Sequence, residues 1–225
     1  MRAHANGRIS AAASRGIESG SSANGHTIIV VDDGTESNRA FVNIAQQAGF
    51  LTVTISPENA AALDEPCGDC MLLPFQLPGM GSLKLQRTLK ARGYTMPIVF
   101  LASAADVPHA VQAMLEGATD FLLTSCSETE FLSSITQACR KGVSLRQSTV
   151  ETENARGALA SLTARERDVL AQIVTGKSNK IAAYALGISP RTVEVHRLKI
   201  MRKLKANSVA TLVRLATLDS SFLAA

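Results

Sequence analysis

The sequence predicts an α/β fold with a five-stranded parallel sheet, joined to a small all-α module of four helices. Three observations predict it. Between residues 27 and 142, short apolar runs alternate five times with helical apolar stripes, and that alternation gives a parallel sheet covered on both faces. From Leu162 onward the apolar period is helical throughout. Charge divides in the same way: residues 27–142 hold 7 Lys+Arg against 12 Asp+Glu, a balance of −5, and residues 161–225 hold 11 against 4, a balance of +7.

Residues 1–26 are rich in Ser, Ala, Gly and Arg and read as a disordered leader. Ile28-Ile29-Val30-Val31 is a short continuous apolar run, the pattern of a buried parallel strand. Phe41, Ile44, Ala45 and Ala48 then recur at helical spacing until Gly49. Leu51–Ile55 reads as the second strand, a short helix follows Pro57, and Met71-Leu72-Leu73 reads as the third strand. Leu83, Leu85 and Leu89 mark a helix ending near Gly93, and Pro97–Leu101 is the fourth strand. Asp106 is placed to cap a helix whose stripe is Val107, Val111, Met114 and Leu115. Phe121-Leu122-Leu123 is the fifth strand, and Phe131, Leu132, Ile135 and Ala138 form the last stripe. Residues 143–160 are polar and weakly periodic and read as a linker, helical at its start.

The module at 161–225 opens on Thr163 and Glu166, spaced as a capping box. Val169, Leu170, Ile173 and Val174 give its first helix an apolar face, and Gly176 closes it. A short helix spans Asn179 to Leu186, Gly187-Ile188 makes a tight turn, and Ser189 caps a third helix with Pro190 in its first turn. Val193, His196, Ile200 and Leu204 form that helix's core face, and Val209, Leu212, Val213 and Ala216 mark a fourth helix. Two helices around a turn of this kind are the helix-turn-helix signature.

Removing the core face of the third helix leaves Arg191, Glu194, Val195, Arg197, Leu198, Lys199 and Arg202, with Arg191, Val195, Leu198 and Arg202 on one stripe. A helix of this kind fits the major groove of double-stranded DNA. Its cations suit phosphates or guanine, Glu194 suits cytosine N4, and Val195 and Leu198 suit thymine methyls.

Composition sets the outer bounds. At 46% hydrophobic and 19% charged residues the chain can build a core. No apolar run approaches the ~18 residues of a membrane span. Four cysteines make no disulfide framework, so a cytoplasmic home is expected. Cys67-Gly68-Asp69-Cys70 has the spacing of a redox dithiol or half a zinc site, but no second such pair exists and this one leads into a strand. It is therefore read as a loop cysteine beside a buried strand cysteine. Cys126 and Cys139 fit no ligand spacing, and no Gly-rich phosphate loop or Ser/His/Asp arrangement marks an enzyme. The apolar tail residues Leu218, Phe222 and Leu223 read as helix-end packing.

The stretches Leu162–Leu170, Gly176–Lys180 and Leu186–His196 resemble the LuxR-type helix-turn-helix, most closely in the FixJ/NarL group of bacterial response regulators. The resemblance implies a transcription regulator with base contacts from Glu194, Val195 and Leu198. It implies phosphate contacts from Lys180, Thr192 and the neighbouring basic residues, beside the Ser189 cap, and a homodimer packed through the last helix. One departure is visible: where the family has Asn-Lys-Glu-Ile-Ala, this chain has Asn179-Lys180-Ile181-Ala182-Ala183.

The acidic segment resembles a response-regulator receiver, a flavodoxin-like fold. Matching stretches are Val30–Asp33, Leu77–Met80, Pro97–Leu101, Asp106–Pro108 and Glu116–Leu122. Receivers carry an acidic pair, a phosphoacceptor Asp, a Thr/Ser switch and a Lys beyond the strand ends. Here the pair is Asp32 and Asp33, the acceptor position holds Pro74, the switch position Ala102 and the Lys position Thr124. The expectation is a degenerate receiver at 27–142, regulated independently of phosphorylation, with no cofactor beyond a weak Mg²⁺ site at Asp32 and Asp33. A protein partner at the receiver is one candidate input. Asp69 is expected at the opposite end of the sheet.

Overall fold

The computed structural model describes residues 25–63, 68–79, 81–219 and 222. Residues 1–24 of the leader read at 1–26, together with Cys67, Met80 and Leu223, lie outside the described residues. The chain divides into two compact units, Met1–Arg146 and Gln147–Ala225.

In the first unit, strands β1 (Thr27–Val31), β2 (Leu51–Ile55), β3 (Cys70–Pro74), β4 (Ile98–Ala102) and β5 (Asp120–Leu123) form one sheet. Its order is β2-β1-β3-β4-β5. Every pairing is parallel, with Ile29 opposite Val53 and Met71, and Leu72 opposite Val99. Side chains alternate faces along a strand, and both faces are apolar and covered. Ile28, Val30, Leu72, Val99 and Leu101 pack on Phe41 and Ala45 of α1 (Glu36–Gln47) and on Phe131 and Ile135 of α5 (Glu128–Ala160). Ile29, Val31, Met71, Leu73 and Phe100 pack on Ala60 of α2 (Pro57–Ala61), Leu85 and Leu89 of α3 (Ser82–Ala91) and Ala113 of α4 (Ala110–Leu115).

Two expectations need correction here. Asp106 is not the cap of the helix before β5. Ser103 is, at the start of a 3-10 helix over Ala104–His109, and Asp106 is the reciprocal partner in its capping box. The residues read as that helix's core stripe face solvent instead: Val111 is 68% and Leu115 78% exposed, with Val107 and Met114 also exposed. Pro108 sits inside the 3-10 segment and changes the turn period just before α4, so the face that packs is the small one at Ala113.

The segment read as a linker is helical through its whole length, as part of α5. Its distal residues Ala155 and Leu159 are buried in the core of the second unit. That core is built by α6 (Ala164–Val174), α7 (Asn179–Leu186), α8 (Pro190–Lys203) and α9 (Val209–Leu218) around Val169, Leu170, Val193, Ile200 and Leu212. Leu218 and Phe222 are half-buried, and Phe222 packs against the same core. No helix among the described residues is long and apolar enough to cross a membrane.

Candidate nucleic-acid interface

Helix α8 is started and aimed by local chemistry. The Ser189 hydroxyl accepts from the Thr192 backbone N–H at 3.0 Å, and Pro190 occupies the first turn. Pro190 lacks an N–H where none would be paired. Before it, Gly187 ends α7 with φ +64°, a left-handed value that a side chain resists. Arg165 of α6 donates to the Leu186 carbonyl at 2.6 Å and so ties that turn down. Sequence reasoning missed this contact, since nothing in the spacing marks it.

Burial of Val193 and Ile200 fixes the rotation of α8 about its axis. The opposite face is left in solvent: Arg191, Glu194, Lys199 and Arg202 are exposed, Val195 is 44% and Leu198 62% exposed. Thr192 and Arg197 are half-buried, and Lys180 on α7 is exposed. Leu198 is therefore open to solvent over most of its side chain and is not part of the core cluster. His196, read as a core residue, is half-buried, and its Nδ1 is buried without a hydrogen-bond partner among the described residues. The Ile181-Ala182 departure has a plain outcome: Ala182 fills the buried position and Ile181 is 55% exposed, next to Tyr184 at 93%.

The scaffold helix α6 is anchored by its capping box. The Thr163 backbone N–H donates to Glu166 at 2.9 Å, and the Glu166 N–H donates to the Thr163 hydroxyl at 3.3 Å. Lys203, at the end of α8, adds an ion pair to Glu166 at 2.7 Å. The Lys203 ammonium, with the Thr163 N–H, holds the Glu166 carboxyl down at about 2. A pair reaching from the last turn of α8 to the first turn of α6 was not legible in the sequence, because it joins positions 37 apart.

In the other unit, the ends of β1, β3, β4 and β5 form the crevice where an open parallel sheet places its functional groups. Asp32 and Asp33 follow β1 and are half-buried. Asp32 accepts from the Gly34 N–H at 2.9 Å, and Asp33 accepts from the Thr35 N–H and hydroxyl at 2.8 and 2.7 Å. Pro74 ends β3 opposite Leu101, and its carbonyl accepts from the Ser82 hydroxyl at 2.6 Å. Ala102 ends β4, and the N–H of exposed Thr124 donates to its carbonyl at 2.8 Å. Ser103 is turned to Asp106, which also accepts from Gln76 at 2.5 Å. Burial pushes the Asp106 carboxyl up, but the hydrogen bonds from Ser103 and Gln76 outweigh it and hold the group below its ordinary range. Among the described residues, no group of three His, Cys, Asp or Glu side chains stands close enough to share a metal ion.

Asp69 lies at the other end of the sheet, where it accepts from the Thr27 N–H at 2.9 Å and pairs with Arg146. Cys70 does not face an open site. It is fully buried with its sulfur 3.3 Å from that of Cys139, and the hydrogen bond between them, reinforced by burial, pushes the Cys70 thiol well up.

Comparison with known proteins finds both halves. Residues 28–136 match the response regulator receiver domain, and residues 160–216 match the luxR family of bacterial regulatory proteins. The transcriptional regulatory protein FixJ of Bradyrhizobium diazoefficiens is 35% identical over 195 residues, covering 85% of this chain and 94% of that protein. The chain belongs to the FixJ-like response regulators with a LuxR-type DNA-binding domain. The response regulator TodT of Pseudomonas putida is 34% identical over 190 residues, covering 83% of each chain. The solved structure of the response regulator StyR matches with a TM-score of 0.74 at 35% identity, covering 85% of this chain and 98% of that one. This FixJ-like chain is thus a transcription regulator, and its relatives are regulators rather than enzymes.

Proposed function

We propose that this FixJ-like protein is a sequence-specific DNA-binding regulator whose binding does not depend on phosphorylation of its receiver. The observation that carries this is the end of β3. Pro74 ends β3, the strand paired beside β1, after which Asp32 and Asp33 follow; it has no carboxylate, and its carbonyl accepts from Ser82. An acyl phosphate needs a carboxylate nucleophile and a cation over the phosphoryl oxygens. Proline supplies no nucleophile, and Thr124 supplies no cation. Two carboxylates already occupied with the turn after β1 do not make the octahedral oxygen cage that Mg²⁺ requires.

The DNA reading assigns Glu194, Val195 and Leu198 to base edges. Lys180, Ser189, Arg191, Thr192, Arg197, Lys199 and Arg202 go to phosphates or to guanine. The exposure of Lys180, Ser189, Arg191, Glu194, Val195, Leu198, Lys199 and Arg202, with Thr192 and Arg197 half-buried beside them, supports this assignment. A homodimer on two half-sites fits a module of this type, and the solvent-facing apolar residues of α4 give the receiver a surface for self-association or for a protein partner. The absence of a membrane-spanning helix among the described residues accords with work in the cytoplasm.

The test is a titration of the untreated full chain against genomic DNA fragments at two salt concentrations, with and without acetyl phosphate and Mg²⁺. The expected result is selective binding that weakens steeply with salt and ignores acetyl phosphate. Binding that appears only after acetyl phosphate would restore a conventional phosphorelay. No selective binding in either condition would favour an interaction protein that modulates another regulator.

A further inference from the structure

The turn before α8 is held from outside the helix-turn-helix itself. It consists of Gly187-Ile188-Ser189, between the end of α7 and the start of α8. The Gly187 and Ile188 N–H groups turn back to the Tyr184 and Ala183 carbonyls at 3.3 and 3.1 Å. The Leu186 carbonyl, last in α7, accepts from the Arg165 guanidinium of α6 at 2.6 Å. The final carbonyls of a helix have no partner within it and carry the negative end of its dipole. Helix α7 has no basic residue in its own last turn, so α6 supplies the cation. A hydrogen bond from a charged donor is roughly twice as strong as a neutral one.

The other end of α8 is tied to the next residue of α6. Glu166 takes the Lys203 ammonium at 2.7 Å, and Lys203 also donates to the Ser161 carbonyl at 3.3 Å. Helix α8 has 14 residues and so is about 21 Å long. Arg165 and Glu166, neighbours in the first turn of α6, therefore hold structure at both ends of it. The two kinds of DNA contact tolerate displacement differently. Attraction between a cation and a phosphate falls off slowly with distance. A hydrogen bond to a base edge weakens steeply once its length or angle leaves a narrow range. A small shift of the turn before α8 would spare phosphate contacts and spoil base contacts.

We propose that Arg165 is a positioning residue for base readout. By pinning the Leu186 carbonyl it sets where the first turns of α8, with Glu194, Val195 and Leu198, meet the base edges. Arg165 itself reads no base. The inference rests on the DNA reading above and deepens it, because it separates selectivity from affinity: one residue outside the DNA-facing helix governs the first and leaves the second alone.

The full chain and its Arg165→Ala variant are titrated, at several salt concentrations, against the fragment that wild type selects and against a random fragment of equal length. Arg165→Ala is expected to lower the ratio of the two affinities about tenfold, with affinity for the random fragment and its salt slope unchanged. Without DNA, the Gly187 and Ile188 amides should exchange hydrogen about tenfold faster in the variant, while the Val169 and Leu170 amides keep their rates. Arg165→Gln, a milder change for the fold, should lower the ratio in the same sense, and Arg165→Lys, which keeps a cation at the end of α7, should recover most of it. Equal loss on both fragments with a salt slope shallower by about 1 would make Arg165 a direct phosphate contact. Equal loss on both with an unchanged slope and a lower Tm would make it a stabilising residue only, since partial unfolding scales both affinities alike. An unchanged ratio would show that the turn holds without it. Any of these three results overturns the proposal. Wild type that selects no fragment fails the DNA reading itself, before any variant is compared, and the proposal falls with it.

Discussion

Leu198 is a large apolar side chain that α8 leaves 62% exposed, on the same helix as the buried Val193. Nothing in the folded module is lost by shortening it, because surface changes away from special features fall within about ±0.5 kcal/mol. Leu198→Ala should therefore leave the thermal unfolding of the protein unchanged and still weaken binding to the operator about five- to tenfold, a split read by calorimetry beside a DNA titration. Equal loss of stability and binding would return Leu198 to the core. Lys180→Ala should behave differently again, with weaker binding to every sequence and a salt slope shallower by about 1, as for a single phosphate contact. At this scale the sequence was informative wherever exposure follows from helical period, as at Arg191, Val195, Leu198 and Arg202. The same period put His196 on the core face, where it is half-buried with its Nδ1 buried.

Helices show the same divide more sharply. The capping box of α6 was legible because both partners lie within one turn, whereas the Lys203 pair that completes it was not. That pair sets a pH dependence. The Glu166 carboxyl is lowered to about 2 from an ordinary 4.5, so the folded state prefers the charged form. The resulting stability, about 2–3 kcal/mol, is complete above about pH 4.5 and is lost as pH falls toward 2. Urea melts of wild type should lose stability across that window, and Glu166→Gln should lose most of this slope and start lower at pH 7. Helix α4 misled because Val107, Val111, Met114 and Leu115 repeat at helical spacing, and period alone cannot say whether an apolar face meets the protein's own core. Helix α5 misled in the opposite sense. Past residue 143 it is polar around most of its circumference, with Val150 exposed and Ala155 and Leu159 buried, so it shows little moment. Its Gly142 is fixed by a close approach: a Cβ there would stand 1.7 Å from the Asp69 carbonyl oxygen. Gly142→Ala should destabilise the receiver unit by about 3 kcal/mol or more, measured by denaturant midpoint.

Across the whole molecule, the fold was the most legible quantity, since five βα repeats and a helical module each follow from local period. The chemistry of the strand ends was legible too, but only as a set of substitutions at Pro74, Ala102 and Thr124, because a resemblance supplied the positions to inspect. Pro74 carries one consequence for time. In a phosphorylated regulator the length of a response is set by the lifetime of a labile anhydride. A chain with proline at that point has no such timer, so under the proposed reading the persistence of its output follows its own turnover. When synthesis of the protein is stopped in living cells, transcription from its operator should decay in step with protein abundance, and a reporter that collapses while the protein remains would point to another clock.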